Sequence, residues 1–272
     1  MSLLVIDPEK CHGDGLCVAV CPSLLLELRQ GSTVPTTIDD AEERCNDCGH
    51  CVAICPHGAL SQRAMAPEQC EPLRAKSLPS AEQVEHLMKA RRSIRTFKEE
   101  PLPRETLAKL IDIASHAPTG SNLQQVRWLV VYDSGEARRL AGLTADWLRS
   151  KVVAQPPNAV LGKYESTLAR AAELGYDLTG RGAPHVVIAY TPAGRETDGV
   201  IALTFLELAA YAHGVGACWA GWLATALREW PPMQAAVGLP EGYACAGAML
   251  LGHAKYKYQR LPLRREPQVA WR

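Results

Sequence analysis

A chain of 272 residues with 47% apolar content can fill one large core or two smaller ones, and its even mixture of charge and hydrophobicity excludes a disordered protein. Lys+Arg and Asp+Glu number 29 each, so there is no basic footprint for nucleic acid, and no apolar run reaches the ~20 residues of a membrane helix. Ten cysteines without a charged-then-apolar leader, seven of them in two tight clusters, point to metal ligation in a reducing, cytoplasmic compartment rather than to disulfides. The charge is unevenly spread: residues 1–80 hold 6 Lys+Arg against 11 Asp+Glu, and residues 81–272 hold 23 against 18. An acidic head precedes a basic body.

The first element is CHGDGLCVAVCP, Cys11 to Pro22, and it returns 34 residues later as CNDCGHCVAICP, Cys45 to Pro56. Such a repeat marks one ligand-bearing unit used twice. The spacing C-x2-C-x2-C-x3-C-P resembles that of bacterial two-cluster ferredoxins, in which three cysteines of one run and the last of the other hold each cluster. Structural zinc fits less well, because it takes four ligands in two well-separated pairs. The resemblance implies 4Fe-4S at Cys45, Cys48, Cys51 and Cys21. The second site receives Cys11, Cys17 and Cys55, with Asp14 where a fourth thiolate belongs. A carboxylate is the harder donor. Either Asp14 binds the fourth iron, which is the form expected as made, or that iron is absent and a 3Fe-4S cluster stands there. His50 and His57, inside the motifs, are read as shaping the loops. Cys70 lies outside the spacing, and Cys218 and Cys245 read as buried thiols.

Residues 67–80 are Pro-rich and lack an apolar period, which sets a linker between a ferredoxin-like domain, 1–66, and a second domain, 81–272. Ser80 reads as the N-cap of a helix that ends at Arg91 and Arg92. A second helix starts after Pro103 and stops before Pro118. Strand VRWLVVY (126–132) follows. Helical patterns at 134–149, 163–174 and 199–213 then alternate with strand-like HVVIAY (185–190), GACWAGWL (216–223) and YACAGAMLLG (243–252). The expected fold class is α+β, a mixed sheet flanked by helices.

RRSIRTF, Arg91 to Phe97, gathers three guanidinium groups and a hydroxyl within its first five residues, donors that suit a phosphate. Together with APTGSNLQQVRWLVVY, GVGACWAGWL and LGHAKYKYQRLPLRREP, in that order, it resembles the nitroreductase family of FMN-dependent oxidoreductases. The resemblance implies a homodimer with FMN at the interface. It assigns Arg91, Arg92 and Ser93 to the FMN phosphate, Arg95 to the N1/O2 edge of the ring, and Asn122 and Gln124 to the isoalloxazine. The backbone of Cys218, Trp219, Ala220 and Gly221 is expected near N5, and Arg264 and Arg265 close on the phosphate. Gln125 and Val126 stand where many members have proline and tryptophan, which leaves the substrate wall open. Tyr164, Trp147 and Trp222 are candidates for it, although aromatic residues in such positions more often fill a core.

Spacing alone identifies no Ser-His-Asp or paired-carboxylate arrangement, so no catalytic side chain is assigned and the cofactors are expected to carry the chemistry. The expectation is an iron-sulfur flavoenzyme that takes electrons from a low-potential donor, ferredoxin-like or NAD(P)H, through two clusters to FMN and on to a small nitro or unsaturated compound. A redox or iron sensor, an electron-carrier module, or a flavoenzyme of related chemistry such as reductive dehalogenation are the alternatives.

Overall fold

The computed structural model describes residues 3–153 and 164–272. These residues form two compact units, one reaching to Leu78 and including Ser121–Leu123, the other comprising Pro79–Gly120 and Gln124–Arg272.

The first unit is a duplicated motif. Strand β1 (Leu4–Ile6) leads to helix α1 (Leu16–Val20) and strands β2 (Leu26–Glu27) and β3 (Thr36–Thr37). Then come α2 (Ala41–Arg44), α3 (His50–Ile54) and β4 (Leu60–Gln62). β1 pairs antiparallel with β4, and β2 with β3. Each cysteine run forms the same local structure. A glycine in the left-handed region, Gly15 at φ 70° and Gly49 at φ 72°, opens a five-residue helix, and Cys21 or Cys55 closes it in extended geometry. Only glycine enters this conformation without steric cost. Leu3, Cys17, Leu25, Leu26, Ala41, Val52 and Leu60 make the unit's small core.

In the second unit α4 (Ala81–Ala90) starts at a capping box, in which Ser80 Oγ accepts from Gln83 N–H and Gln83 Oε1 accepts from Ser80 N–H. α5 (Arg104–Ser115) follows, then β5 (Arg127–Val131), α6 (Ser134–Val153) and α7 (Glu165–Glu173). The chain continues through β6 (His185–Pro192), α8 (Glu196–Ala212), β7 (Gly216–Trp219), α9 (Gly221–Glu229), α10 (Pro231–Val237) and β8 (Tyr243–Gly252). The strands pair antiparallel in the order β5-β6-β8-β7. One face carries α5 and α8, the other α6, α9 and α10. β6 and the second half of β8 are buried almost throughout, as their near-continuous apolar runs require. α8 lies close on β8 because Gly199 has no side chain there; a Cβ would meet Ala246 Cβ at 2.3 Å.

One expected strand is corrected. GACWAGWL does not remain extended to residue 223: the strand stops at Trp219, and Gly221 opens α9. After Gly221 the apolar residues Leu223, Ala224, Ala226 and Leu227 fall at helical spacing and are buried, so packing favours a helix over a longer edge strand.

Candidate functional site

In the first unit two recesses lie between the repeated turns. One is lined by Cys11, Asp14, Cys17 and Cys55, the other by Cys21, Cys45, Cys48 and Cys51. Each set crosses from one run to the last cysteine of the other. Among the described residues no three His, Cys, Asp or Glu side chains gather as a single metal ion needs. Four donors spread round a recess suit a polynuclear cluster, where each donor takes its own iron. Leu25 N–H points at Cys21 Sγ and Ala59 N–H at Cys55 Sγ, both at 3.3 Å. Hydrogen bonds of this kind stabilise a thiolate and help set a cluster's potential. Burial pushes the Cys17 thiol up and the Cys51 thiol up to about 11. Binding metal at these cysteines therefore has to expel protons.

The two recesses differ in their surroundings. Asp14 Oδ1 accepts from Leu16 N–H at 3.0 Å, so the residue in place of cysteine also ties down the start of α1. His12 and His57 stack with ring centroids 3.9 Å apart and both line this recess. His50 Nδ1 lies 3.4 Å from Cys48 O beside the other recess. Here the buried Gln62 bonds to Asp47, which also pairs with Arg63 at 2.8 Å. Cys70 lines neither recess; its thiol faces Ala66 O at 3.4 Å.

In the second unit RRSIRTF runs beside β7. Ser93 bridges Ala217 in parallel, and Ile94 N–H donates to Ala217 O at 2.8 Å. This brings the arginine segment alongside Cys218–Gly221. Arg91 and Arg92 then part. Arg91 Nη1 meets the carboxylate of Glu207, a buried residue of α8, at 2.8 Å. Arg92 lies over the ring of Tyr258 at 6.0 Å. Arg95 O accepts from the Tyr176 hydroxyl at 3.2 Å, and that hydroxyl accepts from Arg181 Nη1 at 3.3 Å. Burial pushes the Cys218 thiol up, while the Arg95 and Arg181 guanidinium groups pull it down.

Ala220 N–H is used by Ala248 O at 2.8 Å. The unsatisfied amides near this point are those of the first turn of α9, beginning at Gly221. An anionic phosphate and an electron-rich ring edge match the arginines and this helix start, so the donor set fits FMN. Arg264 and Arg265 lie exposed in the coil after β8. Gln124 N–H donates to Thr119 Oγ1 at 3.0 Å. Asn122, grouped with the first unit, donates from Nδ2 to Asn46 O and Asp47 O, both at 3.1 Å.

Trp147 is buried in a core cluster and donates to Glu229 at 2.9 Å; Tyr164 packs edge-on against Trp222, and both are partly buried against the same cluster. Glu207, Tyr176 and Arg181 were not singled out from the sequence. A lone carboxylate inside the apolar helix LTFLELAAY was the available signal for Glu207; Tyr176 and Arg181 carry no spacing signal.

The nitroreductase family model matches residues 88–253, and a 4Fe-4S dicluster domain model matches residues 3–56. The chain is 32% identical over 167 residues to Nitroreductase NfnB of Mycolicibacterium smegmatis, covering 51% of this chain and 70% of that protein. It is 30% identical over 200 residues to an NADH dehydrogenase of Thermus thermophilus, covering 67% of this chain and 92% of the relative. A nitroreductase with bound FMN from Desulfitobacterium hafniense superposes with a TM-score of 0.54 at 24% identity, over 69% of this chain and 96% of that one. On these matches the chain belongs to the nitroreductase family of FMN-dependent oxidoreductases and carries an N-terminal 4Fe-4S dicluster domain.

Proposed function

We propose that the protein takes up electrons at its cysteine-rich first unit and delivers them, in its flavin-binding second unit, to a small organic acceptor such as a nitro or unsaturated compound. The lining of the two recesses carries this reading: two crossed donor sets in one chain with a flavin fold amount to a relay joined to an outlet. Cys21, Cys45, Cys48 and Cys51 are assigned to a four-iron cluster. Cys11, Cys17 and Cys55 hold the other, with Asp14 as an oxygen ligand to its fourth iron. FMN, when bound, supplies the exchange between one-electron carriers and two-electron acceptors. Arg91 and Ser93, with Arg92 beside them and Arg264 and Arg265 closing over, would hold its phosphate, Arg95 would serve the N1/O2 edge, and the backbone of Cys218–Gly221 would lie near N5.

The donor is a ferredoxin-like protein or NAD(P)H, the latter favoured by the name of the Thermus relative. A second copy of the chain completes the flavin site. Supporting this, Val200 and Phe205 of α8 are exposed, with Ile201 and Leu208 half-buried beside them, and the C-terminal segment exposes Leu263 and Trp271.

Protein purified without oxygen is expected to contain two clusters and one FMN per chain by iron, sulfide and flavin analysis. Reduced ferredoxin should drive turnover of a nitro acceptor in the intact chain and fail to do so in a Cys17→Ala/Cys51→Ala variant that retains FMN. Equal rates in the two proteins would show that electrons do not enter through the first unit.

A further inference from the structure

After β8 the chain turns back across the second unit, and the segment Ala254–Leu261 helps enclose a cavity of about 580 Å³. Four basic side chains line it: Arg92, Lys98, Lys257 and Arg260. Among the described residues no Asp or Glu lines the cavity, and none of the four cations takes part in an ion pair. In a chain with 29 basic and 29 acidic residues this is local segregation of charge. Cations facing one recess repel each other and raise its potential, a cost that a bound polyanion removes.

The aromatic content narrows the ligand. Tyr256 and Tyr258 stand on the same wall, and each is approached by a cation: Arg92 lies 6.0 Å from the Tyr258 ring and Lys255 6.0 Å from the Tyr256 ring. Inorganic phosphate has no use for ring faces, whereas a base can stack on them. The volume falls within the ~300–1,000 Å³ of small-molecule sites. Of the residues assigned to FMN, Arg91, Ser93, Arg95 and Cys218–Gly221 are absent from the lining; Arg92 alone turns into it.

We propose that this cavity is a second nucleotide site, taking the diphosphate of a nucleotide on Lys257, Arg260, Lys98 and Arg92 and its base against Tyr256 or Tyr258. It does not depend on the electron route proposed above.

The test is calorimetric titration of FMN-loaded, full-length protein with ADP, UDP and pyrophosphate. At least one of the two nucleotides is expected to bind saturably with FMN retained and to weaken with added salt. Lys257→Ala and Arg260→Ala should each lower its affinity about tenfold, the loss of one charge-assisted hydrogen bond, and Tyr258→Ala should lower nucleotide affinity while leaving pyrophosphate unchanged. Both cations are exposed, so these variants keep the fold, which their FMN content will confirm. The proposal is overturned if neither nucleotide binds, if binding survives the Lys257 and Arg260 substitutions, or if pyrophosphate binds as tightly as both nucleotides. Release of FMN on titration also overturns it, since the cavity would then be the flavin's own phosphate seat.

Discussion

Arg91 serves both the flavin assignment and the fold. Its guanidinium pairs with the Glu207 carboxylate, and the two side chains are only 22% and 9% exposed. Arg91→Ala should therefore weaken FMN retention and also strand a buried charge, at a cost of about 2–3 kcal/mol, somewhat below the range for fully buried pairs. Adding Glu207→Gln should restore most of the melting temperature of the flavin-free protein without restoring flavin retention. If both recover together, Arg91 acts through stability alone. His185 gives a pH signature. It is buried, lies 2.8 Å from Tyr132 O through Nδ1, and accepts Leu102 N–H at 2.8 Å through Nε2; burial, with His253 adding to it, holds its pKa below the ordinary imidazole value. The unfolded chain thus binds a proton that the folded chain resists. Its contribution is complete above the ordinary value of about 6.5 and is lost as pH falls through the lowered folded value. Urea unfolding between pH 7.5 and 5.5 should show this decline, reduced in His185→Gln. The cysteine donors were legible because spacing alone identifies such a motif. Arg181 and Tyr176 were not, because they meet Arg95 only through the fold.

Among the elements, α1 and α3 are near copies, and the turns that lead into them differ where Asp14 stands in place of a cysteine. Cys48→Ala should remove one cluster and leave the other. Asp14→Cys should give a variable site that keeps four irons in air, since thiolate is the softer ligand. Iron analysis and paramagnetic resonance read both, and an unchanged Asp14→Cys protein would place Asp14 off the cluster. Most helices and strands were legible from apolar period. β8 at 243–252 and α5 followed directly, because each has one periodicity and clear ends. The end of β7 was not legible: WAGWL suits either period locally, and the burial of Leu223 and Leu227 beneath α9 decides it. α10 was missed because two prolines at its start read as a break, although proline is compatible with a first helical turn.

For the whole molecule, the exposed apolar side of α8 makes a second copy the expected partner. Phe205→Asp should shift size-exclusion chromatography from dimer to monomer and reduce bound FMN; a monomeric wild type would remove the basis for this. The Pro-rich stretch and the change in charge were the sequence's signals for two domains; the grouping of Ser121–Leu123 with the first unit had none, since no local pattern records so distant a hydrogen bond. The crossing of donors in the first unit has one more consequence. On the proposed ligand sets one cluster joins Cys21 to Cys45, 24 positions apart, and the other joins Cys17 to Cys55, 38 apart. Cross-links over such spans restrict the unfolded chain by about 3–4 kcal/mol each, by the chain-entropy argument used for disulfides. A head with so small a core depends on these staples to stay folded. Oxidative loss of one cluster would then unlatch the polypeptide as well as interrupt the relay, and the lifetime of the head in the presence of a protease would count the oxygen damage it has received.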